Sequence, residues 1–109
     1  MLNKAYRLNK HGSFRFVYKK GTRLAEPDVV LIYTPARSVR VGFSVSNKVG
    51  KAVVRNKVKR RLRASVQNLI PNMRGCQAIV VANPTAAGKP YSVLDGELQS
   101  LLRRAELIV

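Results

Sequence analysis

The spacing of apolar residues along the chain predicts three helices and four strands. A repeat of about 3.6 residues predicts helices over residues 13–20, 51–69 and 92–107. Short runs rich in β-branched residues predict strands over residues 29–34, 39–46 and 77–82, and residues 22–24 fit a short edge strand. Ser13 is the expected N-cap of the first helix. We expect the strands 29–34 and 39–46 to pair as a hairpin. This order predicts a small α/β sandwich.

The strand over residues 39–46 has one bulky face and one nearly bare face. Successive side chains point to opposite faces of a strand. The two sets are Val41, Phe43 and Val45 on one face and Gly42, Ser44 and Ser46 on the other. The bulky set predicts a core. The bare set fits two interpretations, a floor on which a ligand lies or an ordinary solvated face of an antiparallel sheet.

The helix over residues 51–69 and the turn before it are strongly basic. Residues 48–63 contain eight Lys or Arg and no acid. An apolar stripe for the core runs through the helix, formed by Val54, Val58, Leu62, Val66 and Leu69. Like charges at helical spacing weaken an isolated helix by a few tenths of a kcal/mol per pair. A solvated face usually mixes signs, so this face is better explained as a phosphate-binding surface.

The charge balance of the whole chain also indicates a polyanionic partner. Its 109 residues include 21 Lys or Arg and 5 Asp or Glu, a formal net charge of +16. The acids occupy two separate segments and are Glu26, Asp28, Asp95, Glu97 and Glu106. Nucleic acid is the first interpretation and an anionic membrane surface the second. Cys76 is the only cysteine and is expected to be a buried thiol. Apolar runs shorter than about 20 residues and no secretory signal predict a cytoplasmic protein.

Residues for hydrolytic chemistry are scarce in this sequence. His11 is the only histidine, so a two-histidine ribonuclease mechanism has no second partner. A two-metal nuclease site needs several convergent carboxylates, and five acids in two segments do not favour one. Phe14 and Tyr18 share one helix face, where they fit either a core or a stacking wall for unpaired bases. Tyr33 lies near the end of a strand and fits the same wall.

Three blocks of the chain resemble the protein component of bacterial ribonuclease P. The matching residues are Arg7, Leu8, Phe14, Val17, Tyr18 and Gly21, then the strand Val41, Gly42, Phe43, Ser44, Val45 and Ser46, then Lys48, Val49, Gly50, Ala52, Val53, Arg55, Asn56, Val58, Lys59, Arg60 and Arg63. The family block usually reads Arg-Asn-Arg, and here Lys57 stands third. Asn47 and Lys48 replace a frequent Lys-Lys pair. Lys57 cannot form the bidentate fork of an arginine.

The resemblance implies a fold and an activity. The fold would be a single domain over residues 1–109, in the order αβββαβα, with a left-handed βαβ crossover. The activity would be endonucleolytic removal of the 5′ leader from precursor tRNA, catalysed by a partner RNA. The protein would bind no cofactor itself, because Mg²⁺ would lie at the RNA active site. It would be a monomer that binds the catalytic RNA one to one and also binds precursor tRNA.

The resemblance also implies two binding sites and no catalytic residue or metal ligand in the protein. The docking surface for the catalytic RNA would comprise Lys48, Lys51, Arg55, Asn56, Lys57, Lys59, Arg60 and Arg63. A central cleft would bind the single-stranded leader, with walls from Phe14 and Tyr18 and a floor from Tyr33, Ser44 and Ser46.

Two other functions remain open from the residues alone. A structural RNA-binding protein, such as a ribosomal protein or an RNA chaperone, would carry a similar charge and would show no preference for leader-bearing tRNA. A protein-only nuclease would cleave RNA unaided in the presence of Mg²⁺.

Overall fold

Three α-helices and four β-strands make up the chain, which a computed structural model describes over residues 4–8 and 10–108. The helices are α1 (His11–Lys20), α2 (Ala52–Leu69) and α3 (Tyr91–Arg104). The strands are β1 (Thr22–Ala25), β2 (Val29–Pro35), β3 (Val39–Val45) and β4 (Cys76–Ala82). Single 3-10 turns occupy Lys4–Tyr6, Asn47–Val49, Ile70–Asn72 and Pro84–Ala86. The predicted elements and their order are confirmed, as is the short edge strand β1. The architecture is a small α+β fold with a mixed sheet.

The strand order is β1-β2-β4-β3, so the predicted hairpin of β2 and β3 is wrong. β4 lies between them, antiparallel to β2 and parallel to β3. β4 is mostly aliphatic and buried. A central position in the sheet removes more of its apolar surface from water than an edge position would. α2 forms the crossover that parallel pairing of β3 and β4 requires. The left-handed sense of this crossover stays a prediction.

The loop between β2 and β3 passes over the start of β4 at close range. The Ala36 N–H donates to the Gly75 carbonyl at 3.2 Å, and the Cys76 N–H donates to the Ser38 carbonyl at 3.2 Å. A Cβ on Gly75 would lie 2.2 Å from the Ala36 carbonyl oxygen. Glycine is therefore required at position 75 for the chain to cross here.

Each face of the sheet has its own core. α2 and α3 cover one face, where the larger cluster includes Leu31, Val80 and Leu62. α1 covers the other face, where the smaller cluster is Leu8, Val17, Val30, Ile32 and Ile79. Cys76 is fully buried as predicted, and burial raises the pKa of its thiol to about 11. Within the described ranges, no helix is long and apolar enough to cross a membrane.

Two predicted helix ends are wrong, and local hydrogen bonds explain both. α1 begins at His11, and Ser13 is not its N-cap, because the Ser13 N–H already donates to the Lys10 carbonyl inside the first turn. α3 ends at Arg104 instead of residue 107. Glu106 adopts a positive φ of 59°, and the Leu107 N–H donates back to the Leu102 carbonyl at 2.8 Å. This is the left-handed helix termination that tucks Leu107 into the core.

Candidate nucleic-acid interface

A tight turn before α2 presents two of the predicted basic residues. Gly50 has φ 154°, a backbone conformation that side chains rarely adopt. The Arg55 Nε donates to the Gly50 carbonyl at 3.1 Å and so ties the turn to the first helical turn. Val49 is buried beneath the turn, and Lys48 and Lys51 are exposed on either side of it.

One flank of α2 forms a cationic groove. We call this the groove flank, and its residues are Asn56, Lys59, Arg60, Arg63 and Ala64, which line a groove of about 360 Å³. Four of them belong to the predicted docking surface. Arg55 and Lys57 do not line the groove. The Arg55 side chain donates to the Gly50 carbonyl, and Lys57 is exposed. Among the described residues, none with a carboxylate lines the groove, so its charge is uncompensated there.

Arg63 is held in the groove by an aromatic ring. Its guanidinium lies over the ring of Phe43 from β3, 5.9 Å from the ring centroid. Such a cation–π contact contributes about 0.5–1 kcal/mol at an exposed site. It orients the guanidinium and leaves its N–H groups available for an anion.

The opposite flank of α2 is used for packing against α3. We call it the paired flank. Arg61 donates to the Lys89 carbonyl at 2.8 Å. The buried Ser65 hydroxyl donates to Asp95 Oδ1 at 2.6 Å, and Asn68 donates to the Tyr91 hydroxyl at 3.0 Å. Arg61 is therefore a structural cation, although its charge alone would have placed it with the RNA-binding residues.

The acidic residues of the β1–β2 loop and of α3 take part in structural contacts. Glu26 forms an ion pair with Arg104 at 2.6 Å. The backbone N–H of buried Asp28 donates to Glu97 Oε1 at 2.8 Å. Burial, and then a hydrogen bond with the Asp28 carboxylate, raise the pKa of Glu97 to about 7. The same hydrogen bond lowers the pKa of Asp28. Among the described residues, no group of three or more His, Cys, Asp or Glu side chains is placed to hold a metal ion.

On the other face of the sheet, Phe14 rests against the bare strand position. A Cβ on Gly42 would lie 2.3 Å from Phe14 Cζ. Gly42 is thus not open floor, because the Phe14 ring occupies the space that a side chain would fill. Tyr18 follows one helical turn later and is 49% exposed. Ser44, which pairs with Val81, is half-buried on this face, and Ser46 is exposed beyond the end of β3.

Tyr33 lies apart from these aromatics, so the predicted single cleft is wrong in this respect. Tyr33 pairs with Ala78 and packs against the larger cluster beneath α2 and α3. Phe14 packs against the smaller cluster beneath α1. Because side chains alternate along β2, Tyr33 shares the face of Leu31, and it cannot form the floor beneath Phe14 and Tyr18.

A second basic cluster, which was not predicted from the sequence, lies beside α1. Arg7, Lys10 and Arg40 line one pocket together with Leu8, Ser13 and Gln77. The alternation in β3 places Arg40 on the same face as Gly42, which was the available signal. Arg7 and Lys10 are about 30 residues away in sequence, and only the fold brings them to Arg40.

Comparisons with known proteins agree on one family. The family model described as Ribonuclease P matches residues 2–106. The ribonuclease P protein component of Symbiobacterium thermophilum is 38% identical, with 98% of this chain and 96% of the relative covered. The structure of the Staphylococcus aureus RNase P protein superposes with a TM-score of 0.89 at 31% identity, covering 97% of this chain and all of the other. The RNase P protein of Thermotoga maritima, solved with 1-(4-fluorophenyl)-2-thiourea, gives 0.82 at 25% identity, covering 90% and 98%.

Proposed function

The chain belongs to the ribonuclease P protein family, and we propose that it binds the catalytic RNA through α2 and the 5′ leader of precursor tRNA beside α1. Ribonuclease P is an endoribonuclease made of a protein and an RNA, and the RNA carries out catalysis. The protein is a subunit of this ribonucleoprotein, which processes tRNA.

The observation that carries the RNA-docking proposal is the groove flank. Asn56, Lys59, Arg60 and Arg63 converge on one groove, and no carboxylate of the described part of the chain lines it. Guanidinium groups bind phosphate bidentately and Lys supplies point charge, so the groove suits a folded RNA backbone. Lys48, Lys51, Arg55 and Lys57 extend the positive surface toward the start of α2. Charge here would lower the repulsion between the catalytic RNA and its RNA substrate.

The leader-binding proposal is supported by the α1 side of the sheet. The Phe14 ring is fixed on Gly42, and the Tyr18 ring is half exposed one turn later. Stacking of an unpaired base on such a ring contributes about 1–3 kcal/mol and tolerates any base. Ser44 and Ser46 offer hydroxyl groups beside this wall. Leaders differ among precursors, so tolerance of sequence suits the task. Tyr33, on the other face, is not part of this proposed site.

The remaining parts of the proposal concern assembly. Mg²⁺ would be held by the catalytic RNA, where it would supply the metal-ion chemistry of cleavage, and the protein would bind no cofactor of its own. One monomer would bind one RNA in the cytoplasm. The protein's contribution is then positioning: α2 fixes it on the catalytic RNA, and α1 orients the leader.

The leader site is tested by Tyr18→Ala, with Phe16→Ala as its matched control. Phe16 is also on α1 and is similarly exposed, at 52%. Because it is two residues from both Phe14 and Tyr18, it points to a different side of the helix. In the holoenzyme, Tyr18→Ala should weaken binding of precursor tRNA by about 5- to 150-fold, the equivalent of 1–3 kcal/mol. Binding of mature tRNA should not change.

The control variant should leave both affinities unchanged. Equal losses for precursor and mature tRNA, or equal effects of Tyr18→Ala and Phe16→Ala, would contradict the leader site. That result would favour a general RNA-binding protein.

A further inference from the structure

A polar pocket lies between the start of α1 and the sheet, on the opposite side of the sheet from α2. It measures about 180 Å³ and is lined by Arg7, Leu8, Lys10, Ser13, Arg40 and Gln77. A water molecule occupies about 30 Å³ in the liquid, so the pocket has room for a tetrahedral oxyanion.

The N-terminal segment and β3 together bring positive charge to this pocket. The Leu8 N–H donates to the Val41 carbonyl at 3.0 Å, which fixes the segment carrying Arg7 along β3. Lys10 precedes α1, and Arg40 projects from β3. None of the five acids lines the pocket. The fold therefore brings Lys10 and Arg40, which are distant in the sequence, to one pocket that none of these acids lines.

A row of polar side chains crosses the sheet beside the pocket. Thr34 pairs with Gln77, and Gln77 pairs with Arg40, so the three lie side by side on the α1 face. Thr34 is 7% exposed, and its hydroxyl oxygen has no hydrogen-bond partner within residues 4–8 and 10–108. Such buried polar groups are normally satisfied. The first turn of α1, which includes Ser13, adds the positive end of the helix dipole.

We propose that this pocket binds a backbone phosphate of RNA, as a contact separate from the groove flank. Guanidinium, ammonium, hydroxyl and amide groups together suit an oxyanion with several acceptor oxygens. α2 packs against the other face of the sheet, so one phosphate cannot reach both sites. The catalytic RNA would then contact the protein on both faces of the sheet. The identity of the ligand as RNA rests on the proposed function.

The test compares single charge removals by the salt dependence of binding to a bacterial ribonuclease P RNA. Arg40→Gln removes a pocket cation. Arg23→Gln is the matched control, because Arg23 is also an exposed strand arginine and lies outside the pocket. Arg60→Gln reports on the groove flank. Loss of one phosphate contact lowers the slope of log K against log salt by about 0.7–0.9. Arg40→Gln and Arg60→Gln should each lower the slope by this amount and should add in the double variant.

Lys10→Gln gives a second pocket variant that does not alter the sheet, and it should also lower the slope. If Arg40→Gln and Lys10→Gln give the same slope as Arg23→Gln, the proposal that the pocket binds an RNA phosphate is overturned. A lowered slope for Arg60→Gln would in that case still support the docking proposal. An unchanged slope for Arg60→Gln alone would count against the docking proposal instead.

Inorganic phosphate serves as a small probe of the same pocket. Titration should shift the amide NMR signals of Ser13 and Gln77 in the unaltered protein and much less in Arg40→Gln. If phosphate shifts these signals but Arg40→Gln leaves the salt slope of RNA binding unchanged, the pocket binds free anions only. That result would overturn the proposed RNA contact.

Discussion

Arg60 and Arg61 are neighbours in the sequence and lie on different flanks of α2. Successive residues are about 100° apart around a helix, so the two side chains diverge. Arg60 is exposed and lines the groove flank, where none of the described residues contributes a carboxylate. Arg61 donates to the Lys89 carbonyl on the paired flank, beside the buried Ser65–Asp95 hydrogen bond.

The difference between the flanks distinguishes charge used for binding from charge used for folding. On the paired flank each polar group named above meets a partner within the chain, so its contribution appears in the free energy of unfolding. On the groove flank the cations repel one another, and only an external anion compensates them. Substitutions on one flank should therefore change stability, and those on the other should change RNA affinity.

The largest effect on stability is expected from Asp95→Ala. This change removes the acceptor of the buried Ser65 hydroxyl and of the Gln99 amide, which donates at 2.7 Å. A buried donor without a partner costs about 1–3 kcal/mol. Urea unfolding should show a loss of this size, with no change in the salt slope of RNA binding. Asp95→Asn keeps an acceptor oxygen and should lose less; equal losses would show that the Ser65 hydrogen bond is not the cause.

The second effect is the loss of RNA affinity in the double variant Lys59→Gln, Arg60→Gln. Two phosphate contacts would be lost, so the salt slope should fall by about 1.4–1.8 and affinity at 0.1 M salt by roughly tenfold or more. Stability should stay within about 0.5 kcal/mol, as for most surface changes. Unfolding by urea and RNA binding at several salt concentrations measure both quantities. A large loss of stability with an unchanged salt slope would show that the groove flank contributes to folding and not to RNA binding.

Arg61→Gln is the direct counterpart on the paired flank. It removes the hydrogen bond to the Lys89 carbonyl, which should cost about 1 kcal/mol of stability. RNA affinity should fall much less than for Arg60→Gln, although the formal charge change is the same. Equal salt slopes for the two variants would show that only total charge matters.

Stability should also depend on pH through Glu97. Its pKa is raised from 4.5 to about 7 in the folded protein, so the protein loses stability as pH rises through this interval. The lowered pKa of Asp28 acts oppositely, adding stability above 3.8 that is lost as pH falls further. Glu97→Gln resembles the protonated side chain. Urea unfolding measures the free energy of unfolding of Glu97→Gln minus that of the unaltered protein. This difference should be more favourable to the variant at pH 8 than at pH 5. A difference that does not change with pH, or that changes in the opposite direction, would contradict the raised pKa of Glu97.

Hydrophobic periodicity predicted the local features of the fold but not the pairing of distant strands, and only the family resemblance implied the βαβ unit of β3, α2 and β4. The periodicity of Val54, Val58 and Leu62 identified α2 and its buried stripe. The place of β4 between β2 and β3 depends on pairing between distant segments, which local alternation does not encode. Ser13 met the residue preference of an N-cap, but the chain began its helical turn earlier.

The candidate sites divide in the same way. Residues close in sequence, such as Asn56, Lys59 and Arg60, were correctly placed together because helical spacing determines their neighbours. Tyr33 was misplaced because its face depends on strand alternation relative to α1. Arg40 was missed because its neighbours come from the N-terminal segment.

The most direct test of the central claim is cleavage of a 5′-leader-bearing precursor tRNA at low Mg²⁺. The reaction is measured with a bacterial ribonuclease P RNA, with and without this protein, and with the protein alone. The account predicts strong stimulation when RNA and protein are combined, and no cleavage by the protein alone. Absence of stimulation with a matched RNA, or cleavage without any RNA, would contradict it.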